Sequence, residues 1–106
     1  MNAAIEVPQV VTRPTIAAIQ AEVSRYYGLP SLEMVSQRRG REIARPRQVA
    51  MFLCRELTTH SLPRIGDFFG GRDHTTVMHG CKVIEALIFD DPIIQQDVRY
   101  LKARLA

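Results

Sequence analysis

A pair of glycines between two helical segments constrains this chain more than any other feature of its sequence. Residues 61–69 predict a short helix, because Ser61 is a good N-cap, proline is tolerated in a first turn and the apolar residues recur at helical spacing. Gly70 and Gly71 permit a tight turn with positive φ, and Asp73 then stands where a second helix would have its N-cap. Helix, glycine turn and helix predict a helix-turn-helix, whose second helix usually enters the major groove of DNA.

The other apolar residues also recur at helical spacing, and no segment alternates with the period of a strand. Gly28 is a natural end for the first helix, and Pro46 suits the first position of the third. The predicted elements are a helix over residues 15–27 capped by Thr15, one short turn after Ser31, a helix from near Arg45 to about Thr59, the two helices of the helix-turn-helix, and a last helix from about Pro92. The predicted fold class is all-α.

One small domain fits the length of 106 residues, of which 46% are hydrophobic, because such a chain can build one core but not two. Residues 15–106 form this predicted domain. Residues 1–14 contain two prolines and no convincing period, which indicates a flexible tail or a segment that orders only on a partner. From the initial methionine and this tail we expect a free-standing gene product, and a fragment of a longer protein is the open alternative.

Positive charge is concentrated in the middle of the chain. The formal net charge is only +3, but residues 25–82 carry ten Lys or Arg against five acids. Residues 37–48 alone contain five arginines and one acid, and we place residues 37–44 in an exposed loop. An isolated charge run of this kind is usually a solvated loop. Because this one precedes a helix-turn-helix, contact with phosphates or a minor groove is the favoured interpretation.

Several classes of function find no support in the sequence. Cys54 and Cys81 lack a paired spacing and are expected to be small buried residues, and no segment resembles a signal peptide or membrane span, so we expect a reduced cytoplasmic protein. His74, His79 and Cys81 are not spaced as a metal set. No paired carboxylates, activated nucleophile or phosphate cradle can be assembled, so we predict neither an enzyme nor a cofactor.

Three blocks of sequence together carry a family resemblance. R-R-x-R-x-I-A-R-P-R-Q at residues 38–48, S-L-P-x-I-G at 61–66 and G-G-R-D-H-T-T-V at 70–77 resemble the C-terminal DNA-binding domain of the bacterial replication initiator DnaA. The resemblance covers about residues 15–106. It implies a Trp-repressor-like domain of about six helices that recognises the asymmetric DnaA box in double-stranded DNA. The G-x-x-x-x-G-K-[ST] motif of the initiator's ATPase module is missing from this sequence.

The resemblance also assigns roles to individual residues. It implies that Arg39 enters the minor groove, that Arg47 and Gln48 contact phosphates, and that residues 73–76 contact base edges in the major groove. The predicted base contacts are Asp73, His74, Thr75 and Thr76, and the further predicted phosphate contacts are Arg38, Arg41, Arg55 and Arg72. Asp can accept from the amino group of cytosine, Thr can contact the methyl of thymine, and His can donate to a purine acceptor.

Plain structural explanations remain open beside these roles. Asp73 is a good N-cap with or without DNA, and His74 could simply be an exposed helical residue. Gly80 falls where the family more often has Ala, a departure that costs about 1 kcal/mol in a helix interior unless close packing requires it.

Two classes of function follow from the sequence. The favoured one is a stand-alone module that binds DnaA-box-like sites in the nucleoid and acts in or regulates replication initiation. The alternative is a protein-interaction regulator that docks on the full-length initiator or its regulators, through residues 1–14 or the acidic C-terminal region, with DNA binding secondary.

Overall fold

The computed structural model describes residues 13–106, and every regular element within them is helical, which confirms the all-α class. Within these residues there are five α-helices where about six helices were expected, because the second predicted element is a single 3-10 turn. The elements are α1 (Ile16–Tyr27), the 3-10 helix Ser31–Met34, α2 (Arg41–Leu57), α3 (Leu62–Phe68), α4 (His74–Asp90) and α5 (Pro92–Leu105). The predicted tail lies outside the described residues up to residue 12.

Both ends of α1 and the start of α3 are set by cap residues, as predicted. The hydroxyl of Thr15 accepts a hydrogen bond from the backbone N–H of Ala18 at 3.0 Å, and Gly28 closes α1 with a left-handed φ of 69°. Ser61 caps α3 in the same way, accepting from the N–H of Arg64 at 3.3 Å. These contacts involve residues three positions apart, so local sequence is enough to specify them.

The predicted start of α2 was wrong by four residues. The helix begins at Arg41 instead of Arg45, so Pro46 lies inside it and not at its first position. Gly40 makes the turn into the helix with a φ of 73°, and Ile43 anchors the first turn because it is buried in the core. Burial of this early turn outweighs the backbone hydrogen bond that the proline removes. The basic segment is therefore divided between a loop and a helix.

The core is built around α2, which packs against α1 and α4 and buries a continuous run from Val49 to Cys54. Cys54 and Cys81 are both free and fully buried, as predicted, and burial raises the pKa of the Cys54 thiol to about 12. Gly80 of α4 is also buried against α2. A Cβ at Gly80 would lie 3.3 Å from Cγ of Gln48, so the glycine allows the two helices to approach closely.

The last helix closes the other side of the core. Ile94, Val98 and Leu101 of α5 are buried. The hydroxyl of Tyr27 donates to the buried carboxylate of Asp97 at 2.7 Å, which ties α1 to α5. None of the helices within residues 13–106 is long and apolar enough to cross a membrane.

Candidate nucleic-acid interface

The turn between α3 and α4 is fixed by close backbone packing. Gly70 and Gly71 have φ values of 76° and 74°, which only glycine adopts readily. Gly66 packs so tightly that a Cβ there would lie 2.1 Å from the carbonyl oxygen of Arg72. Phe69 is fully buried beneath the turn. The first residues of α4 are therefore presented by a rigid support.

Asp73, His74, Thr75 and Thr76 all lie exposed at the start of α4, and we call these four residues the reading head. Asp73 occupies the N-cap position, but its side chain makes no capping hydrogen bond to the helix. Its carboxylate instead accepts a hydrogen bond from the hydroxyl of Thr75 and lies 3.2 Å from Nδ1 of His74. The hydrogen bond from Thr75 holds the pKa of Asp73 below its usual range. Three polar side chains of the head thus orient one another.

Residues 36–40, which we call the arginine loop, lie directly against the glycine turn. The carbonyl of Ser36 accepts a hydrogen bond from Nη2 of Arg72 at 2.7 Å. A Cβ at Gly70 would lie 2.5 Å from the carbonyl oxygen of Val35, just before the loop. The structure therefore brings the arginine loop beside the residue that precedes the reading head.

Arg39 and Arg41 are exposed, and neither side chain has a hydrogen-bonding or ion-pair partner within residues 13–106. Arg38 pairs with Glu33 at 2.5 Å, yet its side chain remains 68% exposed. The pKa of Glu33 is lowered, chiefly by the hydrogen bond from the hydroxyl of Ser36 and also by Arg38. Three cationic side chains thus face solvent at this edge, one of them already paired with an acid.

We predicted a phosphate contact for Arg47 without expecting its side chain to lie inside the protein, where the structure places it. It is 5% exposed, and its Nε and Nη2 atoms donate to the carbonyl of Glu33 at 3.2 and 2.6 Å. Nη1 donates to the carbonyl of Arg38 at 3.3 Å, and burial lowers the pKa of the guanidinium. This geometry supports a role in holding the arginine loop, and contact with a phosphate stays a prediction.

Arg72 is also directed inward. Its Nη1 donates to the carbonyl of Phe69 at 2.6 Å, while Nη2 reaches Ser36. The side chain is half-buried, and burial lowers its pKa. Both ends of the guanidinium fork thus hold backbone carbonyls.

The remaining predicted phosphate contacts lie farther along α2. Gln48 is half-buried, and its Oε1 accepts from Nη1 of Arg45 at 3.2 Å. Arg55 pairs with Glu85 and, at 3.5 Å, with Glu56. Since Glu85 is eleven residues beyond His74 in α4, the pair lies roughly 16 Å along the helix from the reading head at ~1.5 Å per residue. The structure does not bring Arg55 together with the other predicted contacts.

Sequence reasoning did not single out two exposed side chains on the face of α4 that continues from Thr75. Met78 and Lys82 follow at three and seven residues, and both are exposed. That helical spacing was the signal that could have found them. In the part of the chain that the structure describes, no group of three His, Cys, Asp or Glu side chains is placed to hold a metal ion.

Comparison with known proteins places this chain in a family. The profile described as "Bacterial dnaA protein helix-turn-helix" matches residues 16–84. The chain is 53% identical over 93 residues to the chromosomal replication initiator protein DnaA of Caulobacter sp. strain K31, and 53% identical over 91 residues to that of Ruegeria pomeroyi. These alignments cover 88% and 86% of this chain but 19% of each relative.

A solved structure shares the fold. A crystal structure of a DNA replication initiation factor superposes on this chain with a TM-score of 0.75 at 28% sequence identity. The match covers 85% of this chain and 27% of the other. The chain thus spans about a fifth of the length of the initiators and about a quarter of the chain in that structure.

Proposed function

Because the chain belongs to the family of bacterial DnaA helix-turn-helix domains, we propose that it binds double-stranded DNA at DnaA-box-like sites and thereby acts in replication initiation. The proposal depends chiefly on the contact between the glycine turn and the arginine loop, which Arg72 and Ser36 make. It places an exposed reading head beside exposed arginines. Two adjacent grooves of one duplex could then be contacted by a single chain.

The reading head supplies the chemistry for base recognition in the major groove. Its four side chains are exposed at a helix start, where they can reach base edges without unfolding. Asp73 and His74 offer an acceptor and a donor, and Thr75 and Thr76 add methyl groups. A carboxylate close to phosphates is electrostatically unfavourable, and Asp73 makes no capping bond, so base readout is the role we propose for it.

Arginines outside the reading head supply the contacts to the backbone and the minor groove. We propose that Arg39 enters the minor groove, and that Arg38 and Arg41 contact phosphates together with Gln48 from α2. Phosphate contacts position a protein on DNA, and each one makes binding more sensitive to salt. Arg47, Arg55 and Arg72 have internal partners, so we give them structural roles first.

A titration with a DnaA-box duplex and a scrambled duplex of equal composition tests this function. Specific protein–DNA binding is typically ~10³ to 10⁷ times tighter than non-specific binding. For one small module we set a lower threshold and expect the box to bind at least about tenfold more tightly than the scramble. The ratio should persist at two salt concentrations, while both affinities fall as salt rises. Equal affinity for the two duplexes would contradict sequence-specific binding.

A second candidate function starts from two exposed apolar side chains near the end of α4, away from the reading head. Phe89 and Ile93, on either side of the α4–α5 junction, are 88% and 70% exposed and flank Asp90 and Asp91. Contiguous exposed apolar groups mark protein contacts, so we propose docking on the full-length initiator through these two residues as the alternative. This alternative would be supported if a variant with Arg39 and His74 replaced still captured the purified initiator, while the Phe89→Ser variant no longer captured it.

A further inference from the structure

Arg72 occupies a position that connects three parts of the interface. One end of its guanidinium holds the carbonyl of Phe69 at the end of α3, and the other holds the carbonyl of Ser36 in the arginine loop. Its own backbone is fixed as well, because its N–H donates to the carbonyl of Gly66 at 3.0 Å. The next residue, Asp73, is the first of the reading head.

The partners of Arg72 are backbone carbonyls, so the contact fixes positions more than it neutralises charge. Carbonyls at a helix end lack partners within the helix, and the carbonyl of Phe69 gains one here. Ser36 is 36 residues away in sequence, and its carbonyl would otherwise face the half-buried junction alone. A single planar fork spans both acceptors, which a lysine ammonium cannot do with the same geometry.

We propose that Arg72 is a positioning residue that locks the arginine loop to the reading head, so that the minor-groove and major-groove contacts are made as one unit. The inference rests on the proposed function and deepens it, because it assigns part of the sequence preference to a residue that contacts no base. It also offers an alternative to the phosphate contact predicted from the sequence for this arginine.

Charge-preserving substitution separates the two roles of Arg72. If it contacts a phosphate, Arg72→Lys keeps most of the binding, since lysine is a competent phosphate ligand. If it locks the loop, Arg72→Lys lowers the preference for the box over the scramble about tenfold, nearly as much as Arg72→Met, and leaves scramble affinity almost unchanged. Arg99→Lys is the matched control, at an exposed arginine of α5 to which we assign no DNA contact, and it should preserve the preference. A wild-type preference in Arg72→Lys would overturn the proposal.

A measurement without DNA keeps the inference distinguishable from the proposed function. NMR relaxation of the free chain should show lower backbone order parameters at residues 36–40 in Arg72→Lys than in the wild type, with no change in Arg99→Lys. Unchanged order parameters in the loop would overturn the lock even if DNA binding were specific. Failure of the wild type to prefer the box would overturn the proposed function, while the relaxation result would still stand.

A double-mutant cycle between Arg39 and His74 tests the coupling itself. With Arg72 present, the affinity losses of Arg39→Ala and His74→Ala should be non-additive by about threefold or more, because each contact preorganises the other. In the Arg72→Lys background the factor should fall to about one. Equal coupling in both backgrounds would overturn the proposal.

Discussion

The hydroxyl of Thr75 donates a hydrogen bond to the carboxylate of Asp73, so two residues of the reading head orient each other in the free protein. His74, between them in sequence, lies close enough for its Nδ1 to approach the same carboxylate. The head is therefore preorganised, and binding need not first order these side chains.

Replacing Thr75 by valine should raise the pKa of Asp73 toward its ordinary value, because the hydrogen bond is the largest cause of its depression. A depressed carboxylate pKa stabilises the folded state above the unfolded pKa of about 3.9, and this contribution is lost as pH falls through the folded value. NMR titration of the Asp73 carboxyl checks the shift. Thr76→Val, which removes no bond to Asp73, should leave the titration unchanged, and an unchanged titration in Thr75→Val would contradict the assignment.

If His74 contacts a base as we propose, His74→Ala should relax base preference, with a loss of ~1 to 3 kcal/mol at the contacted position. Arg41→Ala should instead weaken box and scramble alike and reduce the salt slope by about one. Competition binding against a set of boxes with single base changes measures both effects. If Arg41→Ala altered the preference among the sequences, the assignment of Arg41 as a phosphate contact would be wrong.

Arg47→Met should destabilise the free protein, because the carbonyls of Glu33 and Arg38 lose a buried donor. We expect a loss of about 2 to 3 kcal/mol in the free energy of unfolding, measured by urea denaturation. The exposed Arg41→Met should change it by less than about 0.5 kcal/mol. Wild-type stability with weakened binding to all duplexes would restore the phosphate role predicted for Arg47.

The same substitution should have opposite effects at two buried glycines. Gly80→Ala adds a Cβ at 3.3 Å from Gln48 and 3.4 Å from Met51, whose flexible side chains can yield, so the gain in helix propensity should prevail by up to about 1 kcal/mol. Gly66→Ala places its Cβ 2.1 Å from the backbone oxygen of Arg72 and should cost roughly 1 to 3 kcal/mol or more. Thermal unfolding of both variants compares them. Destabilisation by Gly80→Ala would show that α2 and α4 cannot move apart enough to accommodate the added methyl group.

Local chemistry made much of the fold predictable. The caps Thr15, Gly28 and Ser61 act on residues within one turn, so their identities fixed both ends of α1 and the start of α3. The start of α2 was missed because burial of Ile43, a tertiary effect, outweighed the preference of Pro46 for a first position. Exposure of the reading head followed from its place at a helix start after two glycines.

The orientation of individual arginines could not be predicted in the same way. Arg47 and Arg72 turn inward because carbonyls 14 and 36 residues away meet them in the folded chain. The spacing of residues in a sequence does not show which backbone carbonyl will accept a hydrogen bond from a given arginine. An arginine within a basic segment is therefore predicted to lie on the surface, even where it binds a carbonyl in the fold. Only the three-dimensional arrangement separates the side chains that face solvent from those that hold the loop.

The pairing of Arg38 with Glu33 has a consequence for how the protein responds to its ionic surroundings. With Arg47 enclosed and Arg38 already neutralised in part, the basic segment should displace fewer condensed cations from a polyanion than its five arginines suggest. If the chain binds DNA as proposed, its affinity should therefore fall less steeply with rising potassium concentration than five exposed arginines would give.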